Sequence, residues 1–185
     1  MLQQELLIRV IAVLDQSGID YMITGSVASS LQGEPRSTND IDIVVTIHPE
    51  SVPAFVAAFP QPQFYLEETA VREAVRTKGF FNLIDVNHGF KVDFYLLTQE
   101  PFDRSRFSRK RVENVFGLKL KISSPEDTIL MKLRWSELSG GSEKQFQDAR
   151  SVYLVQAETL DFSYLDRWAD HLGIKELLRR VQSEE

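Results

Sequence analysis

The sequence predicts an α/β (α+β) fold in which a mixed sheet flanked by helices is followed by a C-terminal helical bundle. Three observations carry this. Short β-branched or aromatic runs near residues 41–47, 80–86 and 90–97 are separated by amphipathic stretches and turn formers. Asn87-His88-Gly89 joins two of those runs as a hairpin turn. From residue 123 onward the apolar spacing is helical throughout, so we expect a core over 1–122 and a helical subdomain over 123–185.

The first amphipathic stretch, residues 2–16, spaces Leu2, Leu6, Leu7, Val10, Ile11, Val13 and Leu14 on one broad helical face, and Gly18 stops it. Residues 20–24 read as a short strand running into Gly25-Ser26, with a short helix expected over Val27 to Leu31. Gln32 to Asn39 is dense in turn formers and leads into the strand Ile41 to Ile47. A helix opens at His48-Pro49-Glu50-Ser51 and runs to about Phe59, where Pro60-Gln61-Pro62 ends it. A weak strand at 64–66 and a helix at 67–77 precede the two strands around Asn87-His88-Gly89. A further hairpin is expected over 112–122, turning at Phe116-Gly117. Ser124-Pro125-Glu126-Asp127 then starts a helix, with Ser as N-cap, Pro at N1 and acids in the first turn. Ser142 to Gln145 has a capping-box pattern, and helices near 142–156, 161–171 and 173–182 complete the chain.

At 185 residues, 43% of them hydrophobic, the chain suits one domain or a compact domain with a helical appendage. There is no cysteine, which excludes disulfides and thiolate metal sites. His48, His88 and His171 lie too far apart to suggest zinc. The first nine residues are interrupted by charge and lack the marks of a signal peptide. No apolar run approaches the roughly 18 residues of a membrane span, so we expect a cytoplasmic protein without a membrane partner. The net charge of -6 disfavours a generic grip on nucleic acid while leaving room for a local basic patch.

The chemistry concentrates between Gly25 and Asp42. Asp40 and Asp42 stand at i and i+2 in an apolar run, so as strand residues they share a face. Two adjacent anions repel unless a cation lies between them. Asp93, the single carboxylate of Lys91 to Leu97, is the candidate third ligand. Hard oxygen ligands on neighbouring strands suit Mg²⁺, with Mn²⁺ as the alternative ion. Gly25-Ser26 lets backbone groups approach a phosphate at a helix N-terminus. Singly, each acid reads as a turn cap or a solvent-facing side chain; the combination favours a metal and phosphate site. The stretch has neither the glycine of an EF-hand loop nor a Gly-Lys-Ser/Thr ending, and the chain has no G-x-G-x-x-G. Arg104 to Arg111 is a basic run interleaved with Phe102 and Phe107, either a solvated loop face or a guide for RNA. Trp135, Trp168 and Tyr164 fall at helical spacing and are expected in the core.

Hydrophobic-Gly25-Ser26, a gap of thirteen residues, Asp40-Ile41-Asp42 and a later strand carboxylate at Asp93 resemble the polymerase-beta-like nucleotidyltransferase superfamily. Arg36-Ser37-Thr38-Asn39 and the trailing helices look particularly like the AbiEii-type and minimal nucleotidyltransferases of toxin-antitoxin systems. The core resemblance covers about residues 20–97. It implies that Gly25 and Ser26, with Arg36 and Thr38, bind the triphosphate of a nucleotide, that Asp40, Asp42 and Asp93 hold metal, and that Asp93 helps to remove the acceptor's proton. AbiEii-like members also carry a helical Lys followed by an Asp in the next helix. Lys132 and Asp148 match, with Lys132 set to contact phosphate or to orient Asp148. The chain departs from that pattern in having Gln147 where an Arg precedes the Asp and Ser26 where a second Gly follows the first.

The implied reaction is Mg²⁺-dependent transfer of a nucleoside monophosphate from a nucleoside triphosphate to a hydroxyl of RNA, a partner protein or a small molecule. A non-catalytic nucleotide- or protein-binding module on the same fold is the rival reading, and an antitoxin that modifies its toxin a third.

Overall fold

The computed structural model describes residues 3–115 and 117–183. Leu2, in the first expected helix, and Phe116, in the expected turn at Phe116-Gly117, lie outside the described residues. Cα packing divides the chain into two compact units. One takes in the described residues up to Ile23 together with Thr38–Ile122; the other joins Thr24–Ser37 to the described residues from Ser123 onward. The chain passes from one unit to the other at three places, of which 122/123 is the last. No helix among the described residues is long and apolar enough to cross a membrane.

Among the described residues the strands form a seven-stranded mixed sheet, which apart from Thr24 lies in the first unit: β1 (Tyr21–Thr24), β2 (Asp40–Val45), β3 (Phe64–Tyr65), β4 (Phe80–Asp85), β5 (Lys91–Leu96), β6 (Arg111–Val115) and β7 (Leu118–Ile122). Their order is β3-β4-β5-β2-β1-β7-β6, with β2 and β5 parallel and β4 antiparallel to β5. Register gives each face its character. Ile41, Ile43 and Val45 align with Val92, Phe94 and Leu96, and Phe81 pairs with Phe94 on β4; all are buried. Phe81 stacks on Phe94 at 4.9 Å, and Phe55 meets both edge-on at 5.9 and 5.5 Å. Phe55 belongs to α3 (Val52–Ala57), a helix entered through the tighter turn Pro49–Ser51. α1 (Gln3–Gln16) buries Leu6, Leu7, Val10, Ile11 and Leu14, and its Arg9 lies 4.5 Å over the Phe64 ring. α4 (Glu68–Thr77) buries Val71, Ala74 and Val75.

The first part of the basic run, Arg104 to Ser108, is helical rather than a loop and belongs to α5 (Pro101–Ser108), whereas Arg111 already opens β6. Pro101 starts it at a position that needs no donor. Phe102 and Phe107 are buried, and Arg106 is buried against Asp103 at 2.9 Å. Those two rings therefore pack in the core and are not base-stacking platforms.

The second unit is helical. α2 (Gly25–Gln32) starts two residues before the expected Val27 and packs with α6 (Pro125–Leu138) and α7 (Glu143–Gln156). α8 (Phe162–His171) and α9 (Lys175–Ser183) follow. Ile129, Leu130, Leu133, Phe146, Ala149, Val152, Leu165 and Leu178 form its apolar interior. Ser124 caps α6 by accepting the Asp127 N–H at 3.2 Å, and Asp161 caps α8 by accepting that of Tyr164 at 3.0 Å. Ser142 makes no side-chain cap at α7, contrary to its capping-box spacing. Its backbone is instead tied to the end of α6, the N–H donating to Ser136 O at 3.2 Å and the carbonyl accepting from Ser136 Oγ at 2.9 Å. Tyr164 is buried as expected, but Trp135 is 47% exposed, because it lies on the side of α6 opposite the apolar interior.

Candidate functional site

The outer face of the sheet carries the carboxylates. Parallel register sets Asp40 opposite Lys91, Asp42 opposite Asp93 and Val44 opposite Tyr95, and Asn82 of β4 pairs with Asp93 from the other side. Cross-strand partners project to the same face, so Asp40, Asp42, Lys91, Asp93, Asn82 and Tyr95 share one surface. At its far end Val44 and Tyr95 are covered by Met22 and by Phe107 of α5.

Within this surface Asp93 is buried and both of its oxygens are engaged. Asn82 Nδ2 donates to Oδ1, and Lys91 Nζ lies 2.9 Å from Oδ2. The same ammonium stands 3.9 Å from Asp40 Oδ1, whose side chain is 55% exposed. Lys91 is held protonated above its ordinary range, chiefly by the hydrogen bond to Asp93; burial opposes this, and the charges of Asp93, Asp40 and Asp42 add to it. Burial first, and then Asp42, Asp93 and Asp40, push the Tyr95 phenol up to about 12. In both shifts the aspartates of this face contribute in the same direction, behind burial for Tyr95 and behind the Asp93 hydrogen bond for Lys91.

Among the described residues, no set of three or more His, Cys, Asp or Glu side chains stands close enough to hold a metal ion. The three aspartates share a face, and a side-chain cation is lodged between Asp93 and Asp40. Hard carboxylate oxygens and a side-chain cation already lodged among them fit Mg²⁺, which takes only one or two carboxylates and fills its other positions with water and phosphate.

The second unit holds a separate polar network. Gly25, at φ +63°, opens α2 directly from Thr24, a backbone conformation that side chains with a Cβ rarely adopt. Ser26 follows in the first turn. Arg36 is anchored two ways: Ser30 Oγ donates to its carbonyl at 3.2 Å, and its guanidinium forks onto Asp148, Nε to Oδ1 and Nη2 to Oδ2, both 2.7 Å. Lys132, 3% exposed, donates to the same Asp148 Oδ2 at 2.7 Å. Burial raises the affinity of Asp148 for a proton, but the hydrogen bonds and charges of Arg36 and Lys132 outweigh it and hold the carboxyl below the usual range. The Asp148 hydrogen bond in turn raises Arg36.

Ser26 Oγ accepts from Arg36 Nη2 at 2.7 Å and from Lys132 Nζ at 3.4 Å, which leaves the hydroxyl proton free to be donated. Two cations, one carboxylate and a hydroxyl stand together beside a helix N-terminus. That combination suits an anion.

The structure thus brings Ser26, Arg36, Lys132 and Asp148 together in the helical unit, and it sets Asp40, Asp42 and Asp93 on one face of the sheet. Thr38 joins neither group: its hydroxyl donates to Asp40 O at 3.2 Å and accepts the Asp40 N–H at 3.4 Å, closing the turn into β2. Sequence reasoning missed Lys91 and Asn82. Lys91 had a signal, since it precedes Asp93 by two residues and so must share its face; Asn82 had none, because its pairing depends on the β4–β5 register.

No family model matches the chain, and no curated protein matches it. Solved structures do. The antibiotic-resistance factor ANT(2'')-Ia, in complex with adenylyl-2''-tobramycin, superposes with a TM-score of 0.53 at 14% identity, covering 92% of this chain and 96% of that one. A solution structure of ANT(2'')-Ia gives 0.50 at 14% identity, over 91% and 94%. An antigenic nucleotidyltransferase-like protein from Paracoccidioides brasiliensis gives 0.52 at 17% identity, over 83% and 76%. At these identities the likeness is one of fold: the chain has the mixed α/β fold of nucleotidyltransferase-like proteins.

Proposed function

We propose that the protein is a Mg²⁺-dependent nucleotidyltransferase that moves a nucleoside monophosphate from a nucleoside triphosphate to a hydroxyl acceptor. The observation that carries this reading is the register of Asp42 with Asp93 on parallel strands, with Asp40 on the same face. In the reaction the acceptor oxygen forms a bond to the α-phosphorus, the bond from that phosphorus to the bridging oxygen breaks, and pyrophosphate leaves. Asp42 and Asp93 would hold the metal, with Asp40 adding its charge from the same face, and Asp93 would accept the proton of the attacking hydroxyl. When bound, Mg²⁺ supplies charge neutralisation for the transferring phosphoryl group. Gly25 and Ser26 bind phosphate through the α2 N-terminus and the Ser26 hydroxyl, Arg36 and Lys132 supply positive charge, and Asp148 positions both cations. Alignment and preorganised charge then provide most of the rate.

The acceptor is RNA, a partner protein or a small hydroxylated molecule; the fold neighbour ANT(2'')-Ia, solved with an adenylylated tobramycin, supports the last class. Lys132 and Asp148 on successive helices support the AbiEii-like reading, and with it a place in a toxin-antitoxin pair. Incubation with Mg²⁺, radiolabelled nucleoside triphosphates and these three acceptor classes tests the proposal. Labelled product and pyrophosphate are expected from the native chain. Asp42→Asn should lower turnover by at least 10³-fold, on the order of 4 kcal/mol of transition-state stabilisation, with an unchanged circular dichroism spectrum. Mg²⁺-dependent turnover that survives this substitution would sink the mechanism.

A further inference from the structure

Lys91 is a charged member of the acid face whose chemistry the proposed transfer does not use. Its ammonium lies 2.9 Å from Asp93 Oδ2 and 3.9 Å from Asp40 Oδ1, and its side chain is 38% exposed. Parallel register fixes that position: Lys91 is the Cα partner of Asp40 and precedes Asp93 by two residues, so the side chain has no other face to occupy. We propose that Lys91 is a built-in counter-cation that competes with the divalent ion for Asp93 and Asp40, and so sets the affinity of the site for metal.

The competition follows from geometry. An oxygen that coordinates Mg²⁺ does so at about 2.1 Å, and an ammonium hydrogen-bonded to the same oxygen at 2.9 Å would sit within a few ångströms of a doubly charged ion. Two such cations repel strongly in a partly buried setting. Asp93 Oδ2 is therefore paired with Lys91 or with the metal, and entry of the metal turns the lysine outward into the solvent it already reaches. Without metal, the same ammonium relieves the repulsion among three carboxylates on one face. Asn82 keeps Asp93 Oδ1 in place in both states, because an amide hydrogen bond carries no competing charge.

The inference rests on the reading of Asp42 and Asp93 as metal ligands, and its test separates the two. Mg²⁺ alone is titrated into the full chain without nucleotide, by calorimetry and by the shift of the thermal midpoint. Lys91→Met should bind Mg²⁺ about 3- to 10-fold more tightly than the native chain, melt lower in chelator, and gain more from added Mg²⁺. Lys91→Arg, which keeps the positive charge, should stay near the native affinity. Lys91→Gln serves if the Met variant does not fold, with the same expectation. Native or weaker Mg²⁺ affinity in the neutral variants would overturn the competition. Asp42→Asn discriminates: loss of Mg²⁺ binding there, with Lys91→Met unchanged, rejects only the role of Lys91, whereas Mg²⁺ binding that survives Asp42→Asn rejects the metal reading itself.

Discussion

Asp148 is worth following first, because one side chain there decides the state of three others. Its oxygens take Arg36 twice and Lys132 once, each at 2.7 Å, and through those cations it orients what Ser26 Oγ receives. Asp148→Asn keeps the shape and removes the charge that Arg36 and Lys132 share. We expect a loss on the order of 3 kcal/mol, somewhat less than for a fully buried pair because Arg36 reaches solvent, measured from urea midpoints. The pH dependence has a definite sign. The folded carboxyl lies below its unfolded range, so its contribution is complete above an unfolded value of about 3.9 and is lost as pH falls through the lower folded value. The gap between native and Asn variants should therefore be full at pH 6 and close in strong acid; a gap that opens only above neutrality would contradict the ion pair. At this scale the period-2 spacing made Asp40 and Asp42 legible as neighbours, since side chains two apart on a strand must share a face. The burial of Lys132 was not legible, because a lysine flanked by Met131, Leu133 and Arg134 reads equally as a surface residue until α7 is packed on it.

Elements were legible where local chemistry decides them and hidden where a distant partner does. Ser124-Pro125 starts α6 by a cap that involves only its own first turn. Ser142 has the same kind of spacing, yet its backbone bonds to Ser136 settle the start of α7 instead. In α5, charge suggested a loop, but Pro101 and the burial of Phe102 and Phe107 produce a helix. Gly33 ends α2 by close approach to α7: a Cβ there would lie 2.6 Å from Ser151 Oγ and 2.9 Å from Val152 N. The hydroxyl can rotate away but the backbone cannot. Gly33→Ala should therefore destabilise by about 1–3 kcal/mol, visible as a lower thermal midpoint. If the variant melts with the native chain, α2 and α7 are less tightly opposed than these distances state.

Over the whole molecule, the division into units runs against chain order. Periodicity could announce a sheet and a set of helices, but not that residues 24–37 would pack with a segment beginning at 123. Gln32 Nε2 donates to Ser123 O at 2.6 Å, and Gln156 Nε2 donates to Gln32 O at 2.9 Å, so α2 satisfies polar groups inside the helical unit. A fragment of residues 123–183 should accordingly lack a cooperative thermal transition by circular dichroism, and a peptide of residues 24–37 added in trans should restore one at high concentration. Cooperative melting of the fragment alone would show that α2 is dispensable to that unit.

The span of these contacts has a consequence for how the protein is made. Gln32 waits 91 residues for Ser123, Arg36 waits 112 for Asp148, and Glu34 waits 117 for Ser151. Ordering a loop of that length costs entropy before any contact offsets it. While the ribosome is still translating the sheet, the Gly25 to Arg36 segment has already emerged, with neither α6 nor α7 to pack against. Arg36 meets Asp148 only after α7 has cleared the exit tunnel, so the network of Ser26, Arg36, Lys132 and Asp148 is among the last parts of a newborn chain to form.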